Sequence, residues 1–181
     1  MNVLISGGCK NGKTAFAQDI AVKLSGGGRR YYVATMVPYD DEDRARIARH
    51  IADRAEQGFE TLEVGRNIAA CLEGTDHNAV FLVDSLTALL MNEMFPDVHC
   101  GDADPQAAER CREGLLRVAK EAKHAVFVTD YIYSDAARYD VFTEQYRENL
   151  ALLDRSLAAV CDTVIELCAG NVIFHKGGLL R

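Results

Sequence analysis

Gly7-Gly8-Cys9-Lys10-Asn11-Gly12-Lys13-Thr14 has the spacing G-x-x-x-x-G-K-[ST], and its residue types suit a bound anion. Glycine lets the main chain approach a charged group and adopt dihedrals that a Cβ resists. A loop of this kind that opens a helix aims a row of backbone N–H groups and the positive end of the helix dipole at one point. There Lys13 would reach the β- and γ-phosphates of a nucleoside triphosphate, and the Thr14 hydroxyl would hold Mg²⁺. The competing reading is a chance Gly-rich turn before an ordinary helix. The flanks favour the anion site: Asn2–Ser6 is a short apolar run suited to a buried strand, and Phe16, Ile20 and Leu24 recur at helical spacing. Gly7, Gly8, Cys9, Lys10, Asn11, Gly12, Lys13 and Thr14 are therefore expected to bind a nucleotide. Cys9 reads as a tolerated small residue, with an oxidisable thiol as the alternative.

Two further groups could act on that nucleotide. Ala79-Val80-Phe81-Leu82-Val83-Asp84 is an apolar run ending in an acid, where a strand beside the loop would supply a carboxylate for the metal; capping is the alternative use of such an Asp. Asp130, after Val126–Thr129, is a second acid at a strand end. The segment Asp40–His50 begins with acids, as a helix N-terminus prefers, and sets Arg46 and His50 four apart on one face. Read alone it is a solvated amphipathic helix with a surface histidine. A neutral imidazole beside a bound triphosphate could instead attack the α-phosphorus and carry the nucleotidyl group.

Positioning these groups requires alternating strands and helices, and the chain has them. Strands are expected at Val3–Ser6, Tyr31–Ala34, Ala79–Asp84, Ala125–Thr129 and Thr163–Leu167. Helices are expected at Thr14–Leu24, Asp41–Gln57, Leu86–Met94, Pro105–Lys123 and Val141–Val160. Asp104-Pro105 offers a capping side chain and then a first-turn proline. Ser25-Gly26-Gly27-Gly28 ends the first helix, and Val172–Lys176 follows Ala169-Gly170-Asn171 closely enough for an antiparallel hairpin return. The pattern implies an α/β fold with a mostly parallel sheet covered on both faces. No composition break divides residues 1–181, so one nucleotide-binding domain is expected, with Phe95–Asp104 its most loop-like segment.

Composition narrows the partners. Of 181 residues, 20 are Lys or Arg and 27 Asp or Glu, a net charge of −7, which disfavours a broad nucleic-acid or anionic-membrane surface. No apolar run approaches membrane-spanning length, and Lys10 and Lys13 interrupt any signal-like region, so a cytoplasmic location is expected. The six cysteines include no C-x-x-C pair, which excludes a zinc or dithiol motif of that spacing, and reduced thiols are expected.

The chain resembles the adenosylcobinamide kinase/adenosylcobinamide-phosphate guanylyltransferase family. The matching residues are Gly7-Gly8-x-x-x-Gly12-Lys13-Thr14, Ala34-Thr35, Asp40-x-Glu42-x-x-x-Arg46-Ile47-x-x-His50, Arg54, Phe59-x-Thr61-x-Glu63, Asp84-x-Leu86-Thr87 and Asn92. The resemblance implies a P-loop NTPase-like three-layer fold, a homotrimer, and two reactions. In the first, a nucleoside triphosphate, ATP or GTP, phosphorylates adenosylcobinamide. In the second, GMP from GTP passes to adenosylcobinamide phosphate through a guanylylated histidine, which matches His50. It also implies nucleotide contacts at Ala34, Thr35, Arg46, Arg54 and Glu63, and a metal held by Thr14 and Asp84. The chain departs from the family pattern at Ile51 and Ala55, where Arg and Pro are usual. It also departs at Asp130–Arg138, in place of an N-E-V-G segment and its turn, and at Ala151–Arg155, in place of G-R-x-N-Q. Two other readings stay open: a small-molecule kinase without the guanylyl step, and a non-catalytic module regulated by nucleotide.

Overall fold

A computed structural model describes residues 1–38, 57–96, 103–133 and 135–178. Seven strands form one sheet: β1 (Asn2–Gly7), β2 (Arg30–Ala34), β3 (Glu60–Glu63), β4 (Val80–Asp84), β5 (His124–Asp130), β6 (Thr163–Cys168) and β7 (Asn171–Lys176). Their order is β3-β2-β4-β5-β1-β6-β7. Every neighbouring pair is parallel except β6 with β7, which form the antiparallel hairpin expected at the carboxyl end.

The central strands read as continuous apolar runs because both faces are covered. Side chains alternate across the pleat. Val3, Ile5, Leu82, Val126 and Val128 join Ala17, Ile20 and Ala21 of α1 (Lys13–Ser25) in one core. Leu4, Val33, Phe81, Val83 and Phe127 join the other, beneath α2 (Leu86–Met94), α3 (Ala107–Glu121) and α4 (Val141–Val160). From β1 the chain crosses with α1 past the positions of β5 and β4 before it adds β2. The ends of β1, β4 and β5 therefore converge where the order of connections changes, the usual crevice for ligands in open α/β sheets.

Expected elements and observed ones differ at a few points. β3, with its two central residues only partly buried, lacks the apolar run that marks an inner strand; it exists through parallel pairing with β2. A 3-10 turn at Ile68–Leu72 buries Ile68, Cys71 and Leu72. α3 begins at Ala107 rather than at Pro105, because the Asp104 carboxyl accepts from Gln106 N at 2.8 Å and makes a turn of its own before the helix. α1 ends on Gly26 at φ 54°, with Gly26 N donating to Lys23 O. The helix expected over Asp41–Gln57 falls almost wholly outside the described residues.

Among the described residues the cysteines are free thiols. Burial pushes Cys71, Cys111 and Cys161 up to about 12, so they serve as small apolar side chains.

Candidate active site at the carboxyl ends of the strands

β1 ends at Gly7 and the loop begins there under tight packing. A Cβ on Gly7 would lie 2.6 Å from Leu167 O and 3.2 Å from Lys13 Cδ. Asn11 Nδ2 donates to the same Leu167 carbonyl, tying the loop to β6. Gly12 then takes φ 79°, a left-handed conformation that suits glycine, and starts α1. Lys10 is left-handed as well, at φ 56°.

Lys13, the first residue of α1, is 6% exposed. Its Nζ donates to Gly8 O at 2.6 Å and to Asp130 Oδ1 at 2.7 Å. Asp130 Oδ2 accepts from the Thr87 hydroxyl at 3.3 Å, while Asp130 N donates back to that hydroxyl at 3.2 Å. Next to this pair, Asp84 Oδ2 accepts from Thr14 Oγ1 at 2.9 Å and from the Tyr32 hydroxyl at 2.6 Å. The cleft between them, ≈ 460 Å³, is lined by the loop from Cys9 to Thr14, with Gln18, Asp84, Ser85 and Asp130 on its walls.

The site rests on a polar scaffold behind β4. The Asp84–Ser85 peptide bond is cis. Ser85 caps α2 by accepting from Ala88 N at 3.3 Å. Ser85 N donates to Thr35 Oγ1 at 2.7 Å, and Thr35 Oγ1 donates to Ser85 O at 2.8 Å. Asn92 Nδ2 donates to Thr35 O at 2.7 Å and to Gly65 O at 3.0 Å.

The sequence-predicted residues divide accordingly. Cys9, Lys10, Asn11, Gly12, Lys13, Thr14 and Asp84 line one cleft, and Gly7 and Gly8 lead into it, Gly8 O accepting from Lys13 Nζ. Thr35 is fully buried, with its hydroxyl engaged by the Ser85 backbone, so its place is in the scaffold behind Asp84. Ala34 ends β2, its carbonyl accepting from Val64 N. Glu63 ends the edge strand β3, exposed and separated from β1 by three strands. Arg46, His50 and Arg54 lie outside the described residues. Tyr32 was not singled out by the sequence, because it reads as one more residue of an apolar strand; alternation along β2 sends Tyr31 to one face and Tyr32 to the other.

The donor set fits a hard divalent cation. Thr14 Oγ1 and Asp84 Oδ2 offer a hydroxyl and a carboxylate oxygen within 2.9 Å of one another. Among the described residues no cluster of three His, Cys, Asp or Glu could hold a metal. Mg²⁺ commonly takes one or two protein oxygens and completes its shell with phosphate and water.

A phosphate loop between the first strand and helix, with an acid ending the strand across the crevice, defines a P-loop NTPase-like α/β protein. Solved structures agree on the fold. An ATPase domain matches 97% of this chain and 76% of its own at TM-score 0.57 and 13% identity. A KaiC-like protein from Pyrococcus horikoshii matches 97% and 78% at 0.52 and 15%, and the flagellar accessory protein FlaH from Methanocaldococcus jannaschii matches 98% and 78% at 0.51 and 14%. The chain belongs to the cobinamide kinase / cobinamide phosphate guanyltransferase family, whose model matches residues 3–174. That membership gives it a role in cobalamin biosynthesis with nucleotide and corrinoid substrates. Among curated proteins none matches the sequence. No helix among the described residues is long and apolar enough to cross a membrane.

Proposed function

We propose that the chain carries out both reactions of its family: phosphorylation of adenosylcobinamide by ATP or GTP, then transfer of GMP from GTP to adenosylcobinamide phosphate. The observation that carries this reading is the Lys13–Asp130 and Thr14–Asp84 arrangement around the phosphate loop.

In the kinase step the loop amides and the α1 N-terminus bind the polyphosphate, and Lys13 leaves Asp130 for the β- and γ-phosphates. The acceptor hydroxyl attacks the γ-phosphorus and releases its proton to water, the bond to the bridging oxygen breaks, and nucleoside diphosphate leaves. Mg²⁺, held by Thr14 and Asp84, would supply charge neutralisation on the phosphates. The protein contributes positioning and preset charge.

In the second step a neutral nitrogen of the His50 imidazole attacks the α-phosphorus of GTP and expels pyrophosphate. A phosphate oxygen of the acceptor then attacks the same phosphorus, and His50 leaves with its electron pair restored. Arg46 and Arg54, with Ala34 and Glu63, belong to this reading as nucleotide contacts. So does a homotrimer in the cytoplasm that binds no nucleic acid and does not insert into a membrane. Incubation with α-labelled GTP should leave an acid-labile phosphoramidate on the protein, formed poorly well below pH ~6.5, where an ordinary imidazole is protonated. Undiminished labelling of His50→Ala would falsify the nucleophile.

A second reading, kinase without transferase, draws on the segment after β5. Tyr131 and Tyr133 take the place of the family's N-E-V-G pattern there, and Arg147 clamps the following loop by bonding Asp135 at 2.9 Å and Glu144 at 3.0 Å. This reading expects label from γ-labelled GTP in the corrinoid product and none from α-labelled GTP.

A further inference from the structure

Thr129 and Asp130, the last residues of β5, face opposite sides of the sheet. Asp130 serves Lys13. On the other side, under α4, lies a cleft of ≈ 480 Å³ that the nucleotide chemistry does not use. Its floor is β1 and β6: Leu4 stands in register with Val164, and Ser6 with Thr129 and Glu166. The rings of Tyr131 and Tyr133 and the side chain of Ala158 complete a largely apolar wall.

One acid is built into that wall. Asp154 of α4 is 6% exposed and accepts from the Tyr133 hydroxyl at 2.7 Å through Oδ2. Its other oxygen, Oδ1, and the fully buried Thr129 Oγ1 have no hydrogen bond of good geometry among the described residues, although the Thr129 hydroxyl approaches the carboxylate closely enough to favour its charge. Buried polar atoms are ordinarily satisfied, so an unpaired acceptor at a cleft asks for a donor from outside. The remaining charges select the kind of donor. An anion would meet Asp154 and Glu166; a cation would meet Arg155, while Glu166 is already bonded to His175 at 2.8 Å. A neutral group with N–H donors and a carbonyl acceptor serves Asp154 and Arg155 together, and the apolar wall suits methyl and ring carbon around it.

We propose that this cleft binds a carboxamide arm of the acceptor, with Asp154 Oδ1 accepting the amide N–H. A corrinoid is a methyl-rich macrocycle rimmed by such amides, and in naming it the inference rests on the reading given under Proposed function. The placement also suits a large acceptor. β1, which floors the cleft, runs into the phosphate loop at Gly7, and Asp130 immediately precedes Tyr131. A molecule lying over the ends of β1 and β5 can hold an amide arm on one face and present its hydroxyl or phosphate arm to the loop on the other.

Dicyanocobinamide is coloured, so its binding can be followed by equilibrium dialysis without turnover. Asp154→Leu keeps the volume and removes the acceptor; it should raise the dissociation constant at least tenfold while calorimetric GTP binding changes less than twofold. Tyr133→Phe, which frees Asp154 from its internal partner, should weaken corrinoid binding by no more than about threefold. The cleft assignment is overturned if the parent protein does not bind dicyanocobinamide, or if Asp154→Leu binds it as well as the parent. Binding that depends on Asp154 in a protein that forms no GMP adduct would remove the transferase reading and leave the cleft assignment standing.

Discussion

On the α1 face of the sheet, the polar groups at the strand ends answer one another: Lys13 bonds Asp130, and Thr14 and Tyr32 bond Asp84. On the α4 face, one residue away along β5, Thr129 Oγ1 and Asp154 Oδ1 are left open. The first network is complete before any ligand arrives, so a nucleotide must displace an existing contact, and its affinity is a difference between two sets of bonds. The second gains a bond and gives up only the weak approach of the Thr129 hydroxyl to Asp154. A closed network suits a group that must move during the reaction, as Lys13 must, whereas an open one suits an anchor.

The largest effect should come from the moving group. Lys13→Ala removes the cation that neutralises the transferred phosphate and should lower the γ-phosphate transfer rate by about 10³ or more, with a loss of this order expected for a preset charge at a developing anion. A loss under tenfold, measured with labelled GTP and saturating acceptor, would mean that the closed network is scaffolding and the chemistry lies elsewhere.

The open face makes the next prediction, through pH. Burial pushes the Asp154 carboxyl up to about 6, against the pull of the Tyr133 hydroxyl and the nearby Thr129 hydroxyl, with the Asp130 charge adding to the rise. An unfolded Asp titrates near 4. Between about pH 4 and 6 the folded chain therefore binds more protons than the unfolded one, and its stability falls as pH rises; above 6 the penalty is fully present. Asp154→Asn never carries the charge. It should be more stable than the parent by about 2–3 kcal/mol at pH 7.5, a two-unit shift at 1.36 kcal/mol per unit, and should converge on the parent near pH 3.5. Urea unfolding at the two pH values measures this. A gap that does not change with pH would contradict the shift.

How much of this contrast was legible in the sequence follows from what each face is made of. The α1 face is local: loop, Lys13 and Thr14 are consecutive, and Asp84 ends an unmistakable apolar run. The α4 face is assembled from β1, β5, β6 and α4, so no spacing announces it. Asp154 reads in the sequence as a polar residue on an amphipathic helix, and only packing shows it to be buried. Thr35 shows the opposite: next to Ala34 in a familiar motif it reads as a nucleotide contact, and no spacing announces that its hydroxyl bonds the Ser85 backbone. β3 escaped notice because an edge strand needs no apolar run. The expected hairpin was legible since Gly170-Asn171 sits between two alternating runs.

Asp130→Asn tests whether the nucleotide really competes for Lys13. In the parent, Asp130 holds the ammonium at 2.7 Å and adds a negative charge beside the phosphate cleft. The amide keeps the shape but releases the lysine and removes the repulsion. GTP should bind roughly three- to tenfold tighter, while the ligand-free protein loses about 1–2 kcal/mol because a charge-assisted bond to a buried lysine becomes a neutral one. Calorimetry and thermal unfolding would report both. Weaker nucleotide binding would show that Asp130 helps to hold the ligand and does not compete with it.

The smallest expected effect belongs to Tyr32. Its hydroxyl donates to the same Asp84 oxygen that accepts from Thr14, so in the ligand-free chain Oδ2 has two donors. If Mg²⁺ draws Thr14 and Asp84 to itself, Tyr32 becomes the contact that keeps the carboxylate aimed at the cleft. Tyr32→Phe leaves the ring beside Leu82 and Phe59, where Tyr32 and Phe59 meet edge to face at 6.2 Å, and removes one bond of about 1 kcal/mol. Unfolding alone could not separate a positional role from lost stability, but the magnesium titration can. With Tyr32 as a positioning residue, the Mg²⁺ concentration for half-maximal phosphate transfer should rise roughly threefold to fivefold, with the GTP KM at saturating Mg²⁺ unchanged. Equal magnesium curves for parent and variant would mean that Thr14 suffices to orient Asp84, and that the closed network on the α1 face is one bond deeper than its chemistry requires.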